Sequence, residues 1–174
     1  MEQKKPISHI VAGLLIAGIL IVFSIAMSIF SGTASKPGSG WISYCVIIGG
    51  LCLFVYLYGK AMNNTVSFGD LFAYGFKATA MIVVVFVIFL IIVSFTFPEF
   101  KEKAMEAARE EMEHQGRMND SDVEKGMDLV GKYFWVFAIG GTVLGFVIVG
   151  AIGSLIGAAI TPKKPTNPFE QLNA

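Results

Sequence analysis

Four stretches of the chain contain no Asp, Glu, Lys or Arg: Pro6 to Ser35, Pro37 to Gly59, Ala78 to Pro98 and Tyr133 to Pro162. Crossing a bilayer core about 30 Å thick takes roughly 20 apolar residues of helix. Each stretch is long enough. The run from Met81 to Val93 is apolar on every side and rich in β-branched residues, which in water would suggest a strand. In lipid an isolated strand leaves its backbone groups unpaired, so a helix is expected. The pattern predicts an all-α integral membrane protein with spans at about residues 7–30, 41–59, 71–97 and 133–160.

The ends of these spans carry recognisable signals. Ser31 to Gly40 is built from Gly, Ser, Thr, Pro and Lys and reads as a turn. Trp41 and Tyr44 at one end of the second span, with Tyr56 and Tyr58 at the other, mark two water boundaries. After a short polar link, Ser67 and Asp70 have the spacing of a helix cap, with the acid in the positive first turn. Pro98 ends the third span.

From Glu99 to Lys132 the pattern changes to ten acidic and six basic residues. Phe100, Ala104, Ala108 and Met112 repeat at helical spacing, with Glu99–Lys103 and Glu113–Arg117 placed to pair across one turn. Gly116 is a candidate C-cap. Ser121 with Glu124 predicts a second cap, and Val123, Met127, Val130 and Phe134 continue the period into the fourth span. One long helix is therefore expected from Asp122 to Ile160, and residues 99–132 are expected to form an extramembrane helical hairpin. Residues 161–174, polar and proline-rich, read as a disordered tail.

Composition sharpens this picture. Of 174 residues, 55% are hydrophobic and only 15% charged, against about 25% charged in ordinary soluble domains. Four spans leave little room for a separate soluble domain, so residues 1–174 read as a single transmembrane unit. The first apolar run exceeds the roughly 7–15 residues of a signal h-region and is read as a retained helix. Cys45 and Cys52 are too far apart along one helix to form a disulfide. Lys4, Lys5, Lys60, Lys163 and Lys164 flank one side and place both termini in the cytoplasm, although Lys101, Lys103, Lys125 and Lys132 weigh the other way.

Little in the chain specifies chemistry. Lys77 is the most membrane-embedded charge, and snorkelling to the headgroups or pairing with a lipid phosphate competes with a transport role. Asp70 is its nearest acidic neighbour in the sequence. His9 and His114 lack companions at ligand spacing, and Glu106, Glu110, Glu111 and Glu113 read as a solvated face. Ser24, Ser28 and Ser94 have no evident base and are expected to bond backbone carbonyls or neighbouring helices. No catalytic, cofactor or metal residue is assigned. Small residues offer the clearest candidates: Gly141 with Gly145 and Gly153 with Gly157 stand at helix-packing spacing, and Gly69 and Gly75 suggest a close contact in the third span.

The motif Ser67-Phe68-Gly69-Asp70-Leu71-Phe72-Ala73-Tyr74-Gly75-Phe76-Lys77, Pro98-Glu99-Phe100, the charged excursion and Ser154-Leu155-Ile156 before a Lys-Lys tail follow a familiar order. Over nearly its whole length the chain resembles the bacterial membrane proteins known as domain of unknown function 4199. That resemblance implies a small four-helix protein of a bacterial inner membrane and no assigned activity. The sequence leads to a non-enzymatic scaffold or accessory subunit acting through helix association, with the lipid bilayer and either itself or another membrane protein as partners, and no nucleic acid. A small homo-oligomeric transporter or channel is the alternative.

Overall fold

The computed structural model describes residues 6–30, 40–97, 99–114 and 119–164. These form six helices: α1 (His9–Phe30), α2 (Gly40–Ala61), α3 (Phe68–Thr96), α4 (Glu99–His114), α5 (Asp120–Lys132) and α6 (Phe134–Ile160), with no strand among the described residues. Four segments are long and apolar enough to cross a membrane: His9–Met27, Trp41–Ala61, Phe68–Thr96 and Phe134–Ile160. The 29 residues of α3 rise about 43 Å at 1.5 Å each. That exceeds the thickness of a bilayer core.

Several helix ends have a local cause. Ser8 opens α1, its hydroxyl accepting from the Ile10 amide at 3.1 Å. Ser67 and Asp70 form the expected reciprocal cap of α3: Ser67 Oγ accepts from the Asp70 amide, and Asp70 Oδ2 accepts from the Ser67 amide and hydroxyl at 3.3 and 2.7 Å. The α2 terminus is a Schellman turn, in which the Asn64 amide donates to Gly59 O and the Asn63 amide to Lys60 O. Asn63 and Asn64 both hold positive φ, at 56° and 61°, a conformation Asn tolerates better than most residues. At the far end of α3 the helix stops at Thr96, and the Phe97 amide donates back to Val93 O at 2.8 Å.

Packing pairs α3 with α6, α1 and α2, and α2 with α6, α3 and α1. Gly153 lies beside Ile48 and Gly157 beside Cys52, so α2 and α6 run parallel; Gly75 faces Ser154 and Gly150 faces Thr79, so α3 and α6 run antiparallel. Ile16, Ile47, Leu51, Val55, Leu71 and Ile82 are fully enclosed between these helices. The enclosure is one-sided along the bundle. At the end where α1 starts and α2 finishes the helices interlock, whereas Phe95 is 88% exposed and Val136 67% at the other end.

Three expectations are corrected. The chain from Asp122 to Ile160 is not one helix, because Tyr133 (φ −112°, ψ 26°) breaks it into α5 and α6. Hydrogen bonds still cross the break, from Tyr133 to Leu129 O and from Phe137 to Tyr133 O. Next to the break, Phe134 is buried, with Lys101 over its ring and Trp135 against its edge. The cap of α5 is Asn119, whose side chain accepts from the Asp122 amide at 2.9 Å, so the helix starts before Ser121. Asn caps at least as well as Ser, and the upstream residue takes the role.

The polar tail does not begin at Thr161. Thr161 is buried, its hydroxyl donating to Gly157 O, and the Lys164 amide donates to Asn64 O at 2.9 Å. These bonds seat Thr161 to Lys164 on the α2–α3 turn despite their polarity. Residues 165–174, the turn at 31–39, Gly116 and Arg117 lie outside the described residues. Glu99 pairs with Lys103 at 3.2 Å, and Glu113 pairs with Arg109 at 3.1 Å, both exposed. α4 also touches α5: a side-chain carbon at Gly126 would lie 3.5 Å from Met112 Sδ, and one at Gly131 would lie 3.2 Å from Met105 Cε.

Candidate functional site

Small residues decide where the bundle closes. On α3, Gly75 and Thr79 are one turn apart; on α6, Gly150 and Ser154 are too, and the antiparallel pair interlocks reciprocally. Ser154 fills the space above Gly75, while Thr79 fills the space above Gly150. Each hydroxyl is returned to its own helix: Thr79 donates to Gly75 O at 3.0 Å and Ser154 to Gly150 O at 2.7 Å. A buried hydroxyl without a partner costs about 1–3 kcal/mol, and this arrangement avoids that cost within each helix. Ser94, Thr96, Thr142 and Thr161 use the same bond to the carbonyl four residues back.

The singled-out glycines divide into two groups. Gly153 and Gly157 lie against α2, 3.1 Å from Ile48 Cα and Cys52 Cα when a side-chain carbon is placed on each. Cys52 Sγ donates to Gly153 O at 3.6 Å, and neither cysteine is in a disulfide. Gly75 is in the α3–α6 contact. By contrast Gly141 has nothing within 4 Å, Gly145 meets only Tyr44 Oη at 3.6 Å, and Gly69 meets only the neighbouring Ser67 hydroxyl. Gly140 is open as well. Phe137, Gly141, Leu144, Ile148 and Leu155 follow one another at helical spacing and are all exposed.

Four close contacts escaped sequence reasoning, among them Gly50 of α2, where a side-chain carbon would lie 2.9 Å from Ile16 Cγ1. Gly13 of α1 sits under α3, where a side-chain carbon would lie 2.6 Å from Met81 Cβ and 2.7 Å from Ala78 O. Gly150 meets Thr79, and Gly59 meets Thr161. Counting Ser and Thr as small would have exposed Gly75-x-x-x-Thr79 and Gly150-x-x-x-Ser154, but a single glycine such as Gly13 carries no spacing signal.

Asp70 and Lys77 line a cleft at the interlocked end of the bundle. Pro6, Ile7, Ser8 and His9 form one wall, Tyr58 of α2 another, and Asp70, Ala73, Tyr74 and Lys77 of α3 the third, around a volume of about 250 Å³. Tyr74 organises it. Its hydroxyl donates to Ile7 O at 2.9 Å, its ring stacks on Tyr58 at 4.2 Å, and His9 meets its face edge-on at 6.4 Å. Tyr58 is thus a packing residue. Asp70 is exposed and spends one carboxylate oxygen on the α3 cap. Lys77 is exposed, with no ion-pair partner among the described residues. Nearby, Lys163 Nζ donates to Ala158 O at 2.9 Å and lies 5.1 Å above the Phe68 ring, closing the negative end of α6.

No group of three or more His, Cys, Asp or Glu stands together as a metal site among the described residues. No curated protein and no solved structure matches the chain. A family model does, over residues 11–163, which include all four candidate spans except the first two residues of α1. The chain accordingly belongs to the family described as protein of unknown function DUF4199.

Proposed function

We propose that this chain is a multi-pass protein of a bacterial inner membrane that acts without catalysis, as a scaffold or accessory subunit recognised through its helix surfaces. Both termini lie in the cytoplasm in this reading, and α4 with α5 forms a helical hairpin outside the bilayer on the opposite side. Lys60, Lys77, Lys163 and Lys164 gather at the terminal end of the bundle and support that orientation. The observation that carries the scaffold reading is the division among the glycines of α6. Gly150, Gly153 and Gly157 are consumed in internal contacts, while Gly140 and Gly141 open onto nothing. A glycine on an uncovered helix face lets a second transmembrane helix approach its backbone closely. Gly75, Thr79, Gly150 and Ser154 meanwhile close the interior between α3 and α6, which weighs against a path through one copy.

The test is photocrosslinking in intact membranes with a photoreactive residue at Leu144, at Met112, or at Val22 as an outward-facing control on α1. One distinct partner captured from Leu144 or Met112 and not from Val22 is the expected result. Equal labelling from all three positions would overturn the scaffold reading. Crosslinks between identical chains alone would move the assignment to an oligomeric transporter or channel, with flux measurements as the next step.

A further inference from the structure

We infer that the cleft between the start of α1, Tyr58 and α3 binds the headgroup of a zwitterionic phospholipid, with Lys77 holding the phosphate. The inference rests on the membrane-spanning part of the reading above and is independent of the scaffold role.

The cleft brings opposite charges to one small space. Lys77 and Asp70 are seven residues apart on α3, two turns along the same helical face, and both line the volume of about 250 Å³. That volume suits a headgroup and is too small for acyl chains, which have the exposed apolar surfaces of α1 and α3 beside it. A lysine ammonium is a compact donor for a phosphate oxygen, and Lys77 is not committed to an acid among the described residues. The wall opposite is the start of α1, whose aligned peptide dipoles favour negative charge at that end.

Asp70 argues against a free multivalent anion. One of its carboxylate oxygens is held by Ser67, which leaves its negative charge at the cleft margin. A ligand with one phosphate and one ammonium can place its anion toward Lys77 and its cation toward Asp70. Tyr74 keeps the cleft in shape, because its bond to Ile7 O fixes the α1 wall to α3.

The experiment uses the purified full-length chain in nonionic detergent, titrated with dioleoyl-phosphatidylethanolamine or with dioleoylglycerol, which shares the tails and lacks the phosphate. Adducts are counted by native mass spectrometry. The expected result is one saturable phosphatidylethanolamine adduct, weakened about tenfold in K77Q, retained in K77R and unchanged in K60Q. Equal binding by wild type and K77Q, or equal binding of dioleoylglycerol, would overturn the site. Displacement by millimolar inorganic phosphate would overturn the lipid assignment in favour of a soluble phosphate compound. Resistance to alkaline carbonate extraction, read on the membranes from which the chain is purified, separates failure of the cleft from failure of membrane insertion.

Discussion

A side-chain carbon on Gly75 would lie 2.7 Å from Ser154 Oγ and 2.9 Å from its Cβ, so α3 and α6 approach only because one residue of the pair has no side chain. The other has a side chain short enough to occupy the vacated space. Thr79 over Gly150 repeats the device one turn away with the roles of the helices exchanged.

Gly75→Ala should therefore destabilise the bundle by about 1–3 kcal/mol, the range of an overpacked core. Ser154→Gly should restore part of the loss, because Val55 Cγ2 at 2.9 Å remains in the way. Unfolding by SDS titration of all four forms gives the coupling, expected at about 1–2 kcal/mol for residues in contact. Additive effects would show that the two positions do not share a space.

Gly13→Ala and Gly141→Ala test whether contact or sequence spacing decides a glycine's role. Gly13 meets Met81 and a backbone carbonyl of α3, whereas Gly141 meets nothing. In the same titration Gly13→Ala should lose about 1–3 kcal/mol, and Gly141→Ala should stay within about 0.5 kcal/mol of wild type. An equal loss at Gly141 would mean that a partner or second copy covers it in the preparation.

Tyr74→Phe removes one hydroxyl and leaves the ring stacked on Tyr58. The expected loss is about 0.5–1.5 kcal/mol, the net contribution of one hydrogen bond. Hydrogen exchange should rise at the start of α1, next to Ile7, whose carbonyl loses its donor, and stay unchanged in α6. Faster exchange throughout the bundle would assign Tyr74 a global role.

The contact of α4 with α5 predicts proximity that chemistry can read. In a chain with Cys45 and Cys52 replaced by Ala, cysteines at Met112 and Gly126 should be joined by a short bifunctional thiol reagent. A pair at Glu106 and Gly126 serves as the comparison. Crosslinking no greater than in that pair would show the two helices apart in solution.

The four long helices were legible because each is a long apolar run, of the length and composition that a membrane-crossing helix needs. The cap at Ser67 and Asp70 was legible for a similar reason: a short polar side chain and an acid three residues later satisfy amides that nothing else reaches. Which glycines pack was not. Gly141-x-x-x-Gly145 and Gly153-x-x-x-Gly157 have the same spacing, and only the crossing of α6 with α2 distinguishes them. The break at Tyr133 was hidden because the apolar period of Val123, Met127, Val130 and Phe134 runs through it. Lys77 was visible as an isolated charge, but its cleft needed Tyr58 and the start of α1 folded against it.

The turn that joins α2 to α3 is finished by residues that follow α6. Asn64 O accepts from the Lys164 amide, its side-chain amide reaches Gly59 O and Pro162 O at 3.2 and 3.3 Å once the amide is turned to point its nitrogen at them, and Thr161 occupies the space beside Gly59. During synthesis the first three long helices emerge long before that strap exists. They leave the ribosome with an incomplete joint, and arrival of the last helix latches it. Biogenesis of this fold thus ends where its middle began, and a chain stopped before Thr161 would keep its helices and lose the latch.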